Sequence, residues 1–289
     1  MWAAPLGCYL KLESMQRTGS VKLRGASVKL GRMSPMDRAA GVVTASAGNH
    51  GLGVAYAASK LGAQVTVVVP TGASAAKVSA LRQFDVRLVL HGEGYREAET
   101  HALDLAVREG SRYVSPYNDP DVIAGQSTLG RELVEQVPRL GTVVVPCGGG
   151  GLLSGVILAL AGSSVRIVGV ESEASPSMSA AVAAGGIVPI NVEPTVADGL
   201  AGNLEPGAVT VDIALQHRVE ILTVSESDIH SAMAFSAHKM GLVLEGAGAV
   251  GVAALRAGVC TPDPDGRATV VILTGRNVAP KLLSEVLHS

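Results

Sequence analysis

Short apolar runs rich in β-branched residues alternate along this chain with alanine-rich stretches. Gln64–Pro70 (QVTVVVP) is apolar at nearly every position, as a strand covered on both faces would be, and His50–Leu61 has the spacing of a helix that stops at Gly62. Strands of this kind separated by helices predict an α/β fold, in two domains that each hold a mostly parallel sheet flanked by helices. The other predicted strands are Tyr9–Glu13, Gly41–Thr44, Val86–Leu90, Thr142–Pro146, Arg166–Glu171, Glu220–Val224 and Thr269–Thr274, and the other predicted helices are Val122–Val137, Leu152–Ala161, Ser227–Met240 and Val250–Ala257.

Two polar, turn-rich breaks suggest where the domains divide. They lie near residues 31–37 and 117–121, and they bracket a stretch that has strands of its own. We therefore predict a small domain over residues 39–118, inserted into a large domain made of residues 1–38 plus 119–289.

Composition and charge exclude several classes of protein. The 289 residues are 47% hydrophobic, which is too apolar for a disordered chain. The net charge is -2 with no basic run, and aromatic residues make up only 3%, so neither a nucleic-acid nor an anionic-membrane partner is expected. The most apolar stretch, Gly151–Gly162, is too short to span a bilayer.

The cysteines and the first residues bear on the compartment. Cys8, Cys147 and Cys260 are odd in number, far apart and outside any CxxC spacing, which argues against a disulfide framework or a structural zinc site. The first residues, MWAAPLGCYLKLE, lack the pattern of a signal peptide. We therefore predict a soluble, cytoplasmic protein.

A run of four glycines lies between a predicted strand and a predicted helix. Successive backbone N–H groups of such a run can point into one concavity, and the following helix adds its positive end, so the loop can bind a phosphate. The alternative is a flexible connector. At this loop no GxGxxG spacing aligns and no Lys-Ser/Thr pair follows, so the phosphate would belong to something other than NAD or ATP. The residues concerned are Gly148, Gly149, Gly150 and Gly151, followed by Leu152.

A second turn between a strand and a helix is polar. Ser46 or Asn49 could simply cap the helix, which is the structural explanation. The N–H groups at the start of that helix also suit a carboxylate, and the small residues around them leave room for a ligand. The turn consists of Ser46, Ala47, Gly48, Asn49 and His50.

Three further positions lie where open α/β sheets place ligand-binding residues. Lys22 is ordinarily best explained as a solvated surface charge, and it could act as a nucleophile or base only if it were buried. Glu245 opens a helix of small residues, and Thr274 ends the last predicted strand. Each of these positions is weak evidence alone.

Taken together, these residues resemble the serine/threonine dehydratases (threonine ammonia-lyases), which are fold-type II pyridoxal-phosphate enzymes similar in fold to the tryptophan synthase β subunit. The similarity runs in order through nearly the whole chain. The segments that carry it are LKLESMQRTGSVKLRGA, VVTASAGNHGLGVAYAASKLGA, DPDVIAGQSTLGREL, VPCGGGGLLSGV, VGVE, TVADGLAGNLE, EGAGAVGVAAL and ILTGRNV.

The resemblance implies a role for each of the residues singled out above. Lys22 would be the catalytic Schiff-base lysine, which also removes the substrate Cα proton, and the large domain would bind pyridoxal 5′-phosphate. Asn49 would contact the ring hydroxyl, Thr274 would face the ring nitrogen, and Glu245 would line the same region. Gly148–Gly151 and the Leu152 amide would hold the phosphate. The substrate carboxylate would be bound by Ser46, Ala47, Gly48, Asn49 and His50.

The activity implied is α,β-elimination from L-threonine or L-serine, which gives 2-oxobutanoate or pyruvate and ammonia. A neutral hydroxyl at Thr274 cannot stabilise a protonated ring nitrogen as an aspartate would, which favours loss of the β-hydroxyl over transamination. The resemblance also implies a homodimer. The chain ends soon after Val278, so we expect a short form without a regulatory domain or isoleucine feedback.

Several departures from the family pattern matter. Val21 replaces the usual Phe before the lysine, and several tens of residues usual before it are missing. Ala47 stands where related serine racemases carry a Ser that acts on the opposite face, so racemisation is disfavoured. Glu171 matches the first ligand of the family's divalent-cation site, but Ser177 replaces a helpful Asp, so a cation would be poorly held.

Three alternatives therefore stay open at this point. The enzyme could dehydrate another β-hydroxy amino acid, such as 3-hydroxyaspartate or phenylserine. It could resemble a serine racemase, despite Ala47. It could also be a catalytically impaired protein that still binds pyridoxal phosphate, because the sequence before Lys22 is short and Val21 departs from the pattern.

Overall fold

The structure, a computed structural model, describes residues 1–288. These residues form ten strands in two sheets together with twelve α-helices, which confirms the α/β fold with mostly parallel sheets. The strands are β1 (Trp2–Ala3), β2 (Cys8–Lys11), β3 (Val42–Ala45), β4 (Val65–Val69), β5 (Arg87–Leu90), β6 (Arg112–Tyr113), β7 (Leu140–Pro146), β8 (Arg166–Ser172), β9 (Glu220–Val224) and β10 (Ala268–Ile272). The helices are α1 (Lys22–Arg32), α2 (Pro35–Ala40), α3 (Asn49–Leu61), α4 (Ala75–Leu81), α5 (Tyr95–Glu109), α6 (Pro120–Gln136), α7 (Gly151–Leu160), α8 (Ser177–Ala184), α9 (Val209–Gln216), α10 (Glu226–Met240), α11 (Gly246–Arg256) and α12 (Pro280–His288).

The large sheet has the order β1-β2-β10-β7-β8-β9, and only the pairing of β1 with β2 is antiparallel. Helices cover both of its faces. Val144 of β7 packs into a core with α10, α11 and α12, whereas Val143 and Val145 pack into another with α6, α7, α8 and α9. Because successive side chains of a strand point to opposite faces, this burial on both sides explains the continuous apolar run of β7.

The small sheet has the order β5-β4-β3-β6, and all of its strands are parallel. Helices α1 and α3 cover one face, and α5 covers the other. This sheet lies inside residues 39–118, but Ala26 and Leu30 of α1 belong to its core, although they precede that range. The division of the chain into two domains stays a prediction.

The loops at the carboxyl ends of the parallel strands converge between the two sheets. The Val21 N–H, after β2, donates to the Thr274 carbonyl, after β10, at 2.9 Å. Asn277, after β10, donates to Asn49, after β3, at 2.6 Å. The first contact joins two loops of the large sheet, and the second joins a loop of the large sheet to one of the small sheet. Open α/β sheets bind ligands at such a place. No helix among residues 1–288 is both long and apolar enough to cross a membrane.

Candidate active site

Lys22 is the first residue of α1, and its amine points to a backbone carbonyl. The Nζ donates to the Pro116 oxygen at 3.0 Å, and the side chain is half-buried. Desolvation lowers the pKa of this amine from 10.5 to about 8, although the negative charge of Glu245 works in the opposite direction. A much larger fraction of Lys22 is therefore uncharged near neutral pH than of a surface lysine, as a nucleophile requires.

This lowered pKa predicts how the rate of cofactor attachment depends on pH. Only the uncharged amine attacks a carbonyl group, so we expect the apo protein to react with pyridoxal phosphate faster as the pH rises, and the rate to level off above about pH 8. An amine with the ordinary pKa of 10.5 would keep gaining rate up to about pH 10. The growth of the visible absorption band after mixing, followed from about pH 6 to about pH 10, measures this. A rate still rising steeply above pH 9 would contradict it.

The glycine loop has free N–H groups at the start of α7. Among residues 1–288, none of the N–H groups from Gly148 to Leu152 has an acceptor. Gly150 has a φ of 82°, in the left-handed region that favours glycine. The loop is therefore a nest of donors at a helix N-terminus, which suits a phosphate.

Tyr117 forms a wall of this loop, and sequence reasoning missed it. A Cβ added at Gly149 would overlap the Tyr117 ring, and one at Gly151 would lie 2.8 Å from the Tyr117 Cα. The Thr210 hydroxyl holds the other side by donating to the Gly149 carbonyl at 2.8 Å. The loop therefore needs glycine for space as well as for conformation.

The turn between β3 and α3 also offers free donors. The Gly48 N–H donates to the Ser46 hydroxyl at 3.2 Å, whereas the N–H groups of Ala47, Asn49, His50 and Gly51 have no acceptor among residues 1–288. The His50 ring contacts the Val114 carbonyl at 3.0 Å. Burial and the positive charge of Lys22 lower its pKa to about 3, so it stays neutral. This turn can bind a carboxylate through its backbone.

Asn49 of this turn contacts Glu245, and Thr274 precedes Gly275, where an added Cβ would lie 3.2 Å from Asn49 Nδ2. Asn49 Nδ2 donates to Glu245 Oε1 at 2.6 Å, and burial raises the pKa of Glu245 to about 7. The Thr274 hydroxyl is buried and donates to the Ala247 carbonyl at 3.3 Å. Thr274 therefore has a buried, neutral hydroxyl, and its role opposite a ring nitrogen stays a prediction.

Glu171, the predicted cation ligand, is engaged by α8. Its carboxylate accepts from the Met178 N–H at 2.8 Å and from both the N–H and the hydroxyl of Ser179, at 2.8 and 2.7 Å. Across residues 1–288, no group of three or more His, Cys, Asp or Glu residues could hold a metal ion. A role of Glu171 as a metal ligand stays a prediction.

The residues present fit pyridoxal 5′-phosphate. The group needs an uncharged amine for its aldehyde, donors for its phosphate and a polar partner at each side of its ring. Lys22 would supply the amine, the glycine loop would supply unpaired N–H groups, and Asn49 and Thr274 would supply the polar partners.

The fold and these residues define a fold-type II pyridoxal-phosphate enzyme, and residues 2–275 match the family described as pyridoxal-phosphate dependent enzyme, to which the chain belongs. Among curated proteins, it is similar to the L-threonine ammonia-lyase of Thermotoga maritima, with 39% identity over 282 residues, which cover 97% of this chain and 69% of that protein.

Solved structures give the same class. The processed form of threonine deaminase isoform 2 from Solanum lycopersicum superimposes with a TM-score of 0.88 and 32% identity, covering 98% of this chain and 84% of that one. Maize serine racemase superimposes with a TM-score of 0.89 and 30% identity, covering 99% and 88%. The predicted family and fold are confirmed.

Proposed function

We propose that this protein is a dehydratase, or ammonia-lyase, that uses pyridoxal phosphate to convert L-threonine, L-serine or both to 2-oxobutanoate or pyruvate and ammonia. The observation that carries the proposal is the convergence of the Lys22 amine, the glycine loop and the helix after β3. The Lys22 amine contacts Pro116, the adjacent Tyr117 packs against the glycine loop, and a Cβ added at Gly53 of α3 would lie 3.1 Å from the Lys22 carbonyl carbon. The similarity to threonine ammonia-lyases supports it.

The bound cofactor supplies an electron sink for the electron pair left at Cα. Lys22 would hold the cofactor, and its free amine would take the Cα proton on Nζ. The N–H groups of Gly148–Leu152 would bind the phosphate, and the unpaired N–H groups of Ala47, Asn49, His50 and Gly51 would bind the substrate carboxylate. The water lost with the β-hydroxyl is regained when the released product hydrolyses to 2-oxo acid and ammonia.

Ala47 bears on the choice between elimination and racemisation. A racemase needs an acid or base on each face of Cα, and the Ala47 methyl group has no proton to give. Ala47 packs instead against the apolar core of the small sheet. We therefore propose elimination as the main reaction, although a racemase is among the structural relatives.

The carboxylates of Glu99 and Glu205, near Tyr117, bear on which substrate side chain the site accepts. The Glu99 carboxylate accepts from the Tyr95 hydroxyl at 2.8 Å and the Tyr113 hydroxyl at 3.1 Å. The N–H of Glu205 donates to the Tyr117 hydroxyl at 2.8 Å, and burial together with the charge of Glu99 raises the pKa of the Glu205 carboxyl. We propose that the substrate side chain lies on this side of the site, so that an anionic one would meet the charge of Glu99, which disfavours 3-hydroxyaspartate as a substrate.

A substrate panel tests the proposal. We expect the pyridoxal-phosphate-loaded protein to release 2-oxo acid from L-threonine or L-serine, with kcat/KM for 3-hydroxyaspartate lower by about 100-fold because of repulsion. Chiral chromatography of the remaining serine should show little D-isomer. Cofactor binding without turnover of any β-hydroxy amino acid would contradict the proposal and support the impaired protein instead. A preference for 3-hydroxyaspartate would refute the argument from Glu99 and Glu205.

The compartment and the assembly are further proposals. We propose a cytoplasmic homodimer, supported by the cysteine pattern, the near-neutral charge and the resemblance to the dehydratase family. The divalent cation has the weakest support, because both oxygens of Glu171 already accept hydrogen bonds from α8.

A further inference from the structure

The side-chain amide of Asn49 is held from both ends. Its Nδ2 donates to Glu245 Oε1, and its Oδ1 accepts from Asn277 Nδ2, each at 2.6 Å. Asn277 Nδ2 also donates to the Thr18 carbonyl at 2.9 Å, four residues before Lys22. The chain of contacts thus runs from Glu245 through Asn49 and Asn277 to the loop that carries the lysine.

These partners allow only one orientation of the Asn49 amide. A backbone carbonyl only accepts, so the Thr18 contact fixes the NH₂ group of Asn277 on the side that faces Asn49 Oδ1. An ionised carboxylate also only accepts, so Glu245 requires the NH₂ group of Asn49. Both ends of the chain of contacts therefore select the same orientation, in which one N–H of Asn49 stays free of any partner among residues 1–288.

Two glycines leave the space that this arrangement needs. A Cβ at Gly275 would overlap Glu245 Oε1 and lie 3.2 Å from Asn49 Nδ2. A Cβ at Gly19, which has a φ of 73°, would overlap Asn277 Oδ1. Any side chain at either position would displace one of the groups that hold Asn49.

We propose that Glu245 and Asn277 are positioning residues for Asn49. They make Asn49 present an N–H, rather than its carbonyl oxygen, to the hydroxyl oxygen on the pyridine ring of pyridoxal phosphate. A deprotonated ring hydroxyl accepts hydrogen bonds, so only this orientation is favourable. The inference rests on the proposed function, because it requires the cofactor site. It assigns Glu245 a role through Asn49 in place of direct contact with the cofactor, and it adds Asn277 to the site.

Burial and the neighbouring groups decide how much of Glu245 is ionised. The charge of Glu245 interacts with those of two cations, Lys22 and Lys77, and with that of one anion, Asp198. Asn49 lowers the pKa of Glu245, whereas burial raises it more strongly. A protonated Glu245 could donate to the Asn49 oxygen, so the ionised form is the one that fixes the amide.

Cofactor titration of the apo protein tests the proposal without any turnover. We expect Asn49→Ala to weaken pyridoxal-phosphate binding by about 10- to 100-fold and to shift the visible absorption maximum, because a hydrogen bond to a charged oxygen is lost. Glu245→Ala and Asn277→Asp should reproduce both changes. Glu245→Gln keeps an acceptor oxygen and should stay within about fivefold of the wild type. Glu135→Ala, which removes an exposed carboxylate, should have no effect.

The double variant Asn49→Ala/Glu245→Ala separates positioning from an independent role. We expect it to bind no more than about twofold more weakly than Asn49→Ala, since Glu245 has nothing left to position. Losses that multiply would overturn the proposal, as would a Glu245→Ala protein that binds like the wild type. Asn277→Asp is nearly isosteric, so it provides the test if Glu245→Ala fails to fold. A wild-type protein that binds no cofactor would overturn the proposed function and this inference together.

Discussion

Replacing Lys22 by alanine is expected to abolish the visible band of the bound cofactor and to lower the rate of 2-oxo acid formation by at least about 1,000-fold. The reason is that, in the proposed function, one amine both attaches the cofactor and takes the Cα proton. Its pKa, lowered to about 8 by desolvation, and its contact with the Pro116 carbonyl are those of an amine withdrawn from solvent, as the proposed role requires. Absorbance spectra of the loaded protein and a 2-oxo acid assay measure the two effects.

Matched variants separate this chemistry from the loss of a positive charge. Lys22→Arg keeps the charge but cannot form the imine, so it should be as inactive as Lys22→Ala. Lys281→Ala removes an exposed lysine of α12 and should leave spectrum and rate within about twofold, as for most surface substitutions. A Lys22→Ala protein with a normal visible band would show that another amine binds the cofactor.

The sheets were predictable because their strands are buried on both faces. Runs such as Val65–Val69 are apolar throughout, and the predicted strands differ from the observed ones by at most two residues at either end. Helix α5 was not predicted, although Ala98, Ala102 and Leu105 have the spacing of one helical face. Strand β6 has only two residues, neither of them fully buried, so no pattern reveals it.

The site was predictable as motifs but not as contacts. The glycine loop, the turn after β3 and Lys22 each have a local sequence pattern, and the family resemblance joins them. Pro116 accepts from Lys22 across 94 residues, and Asn277 contacts Asn49 across 228. Such contacts depend on how the two sheets meet, which one sequence does not specify. The half-burial that lowers the pKa of Lys22 depends on the same arrangement.

Gly149→Ala is expected to weaken pyridoxal-phosphate binding by about 10- to 100-fold, because a side chain forced into filled space costs about 1–3 kcal/mol. The added methyl group would overlap the Tyr117 ring at the wall of the glycine loop, so the loop or the ring must move. Gly186→Ala is the matched control, since a Cβ there meets nothing within 4 Å. Cofactor titration followed by absorbance, with the thermal midpoint of the apo protein as a check of folding, measures the loss.

Combining the glycine variants with a substitution of Tyr117 identifies the cause of that loss of affinity. At Gly149 the obstacle is the Tyr117 ring, so Gly149→Ala should cost little further affinity in a Tyr117→Ala background. At Gly151 the obstacle is the Tyr117 backbone, with the Cα at 2.8 Å and the carbonyl oxygen at 3.1 Å, and no side-chain change removes it. Gly151→Ala should therefore remain about as damaging in both backgrounds. Equal behaviour of the two glycine variants in the Tyr117→Ala background would contradict the steric argument, because it would trace both losses to the strain of the loop itself.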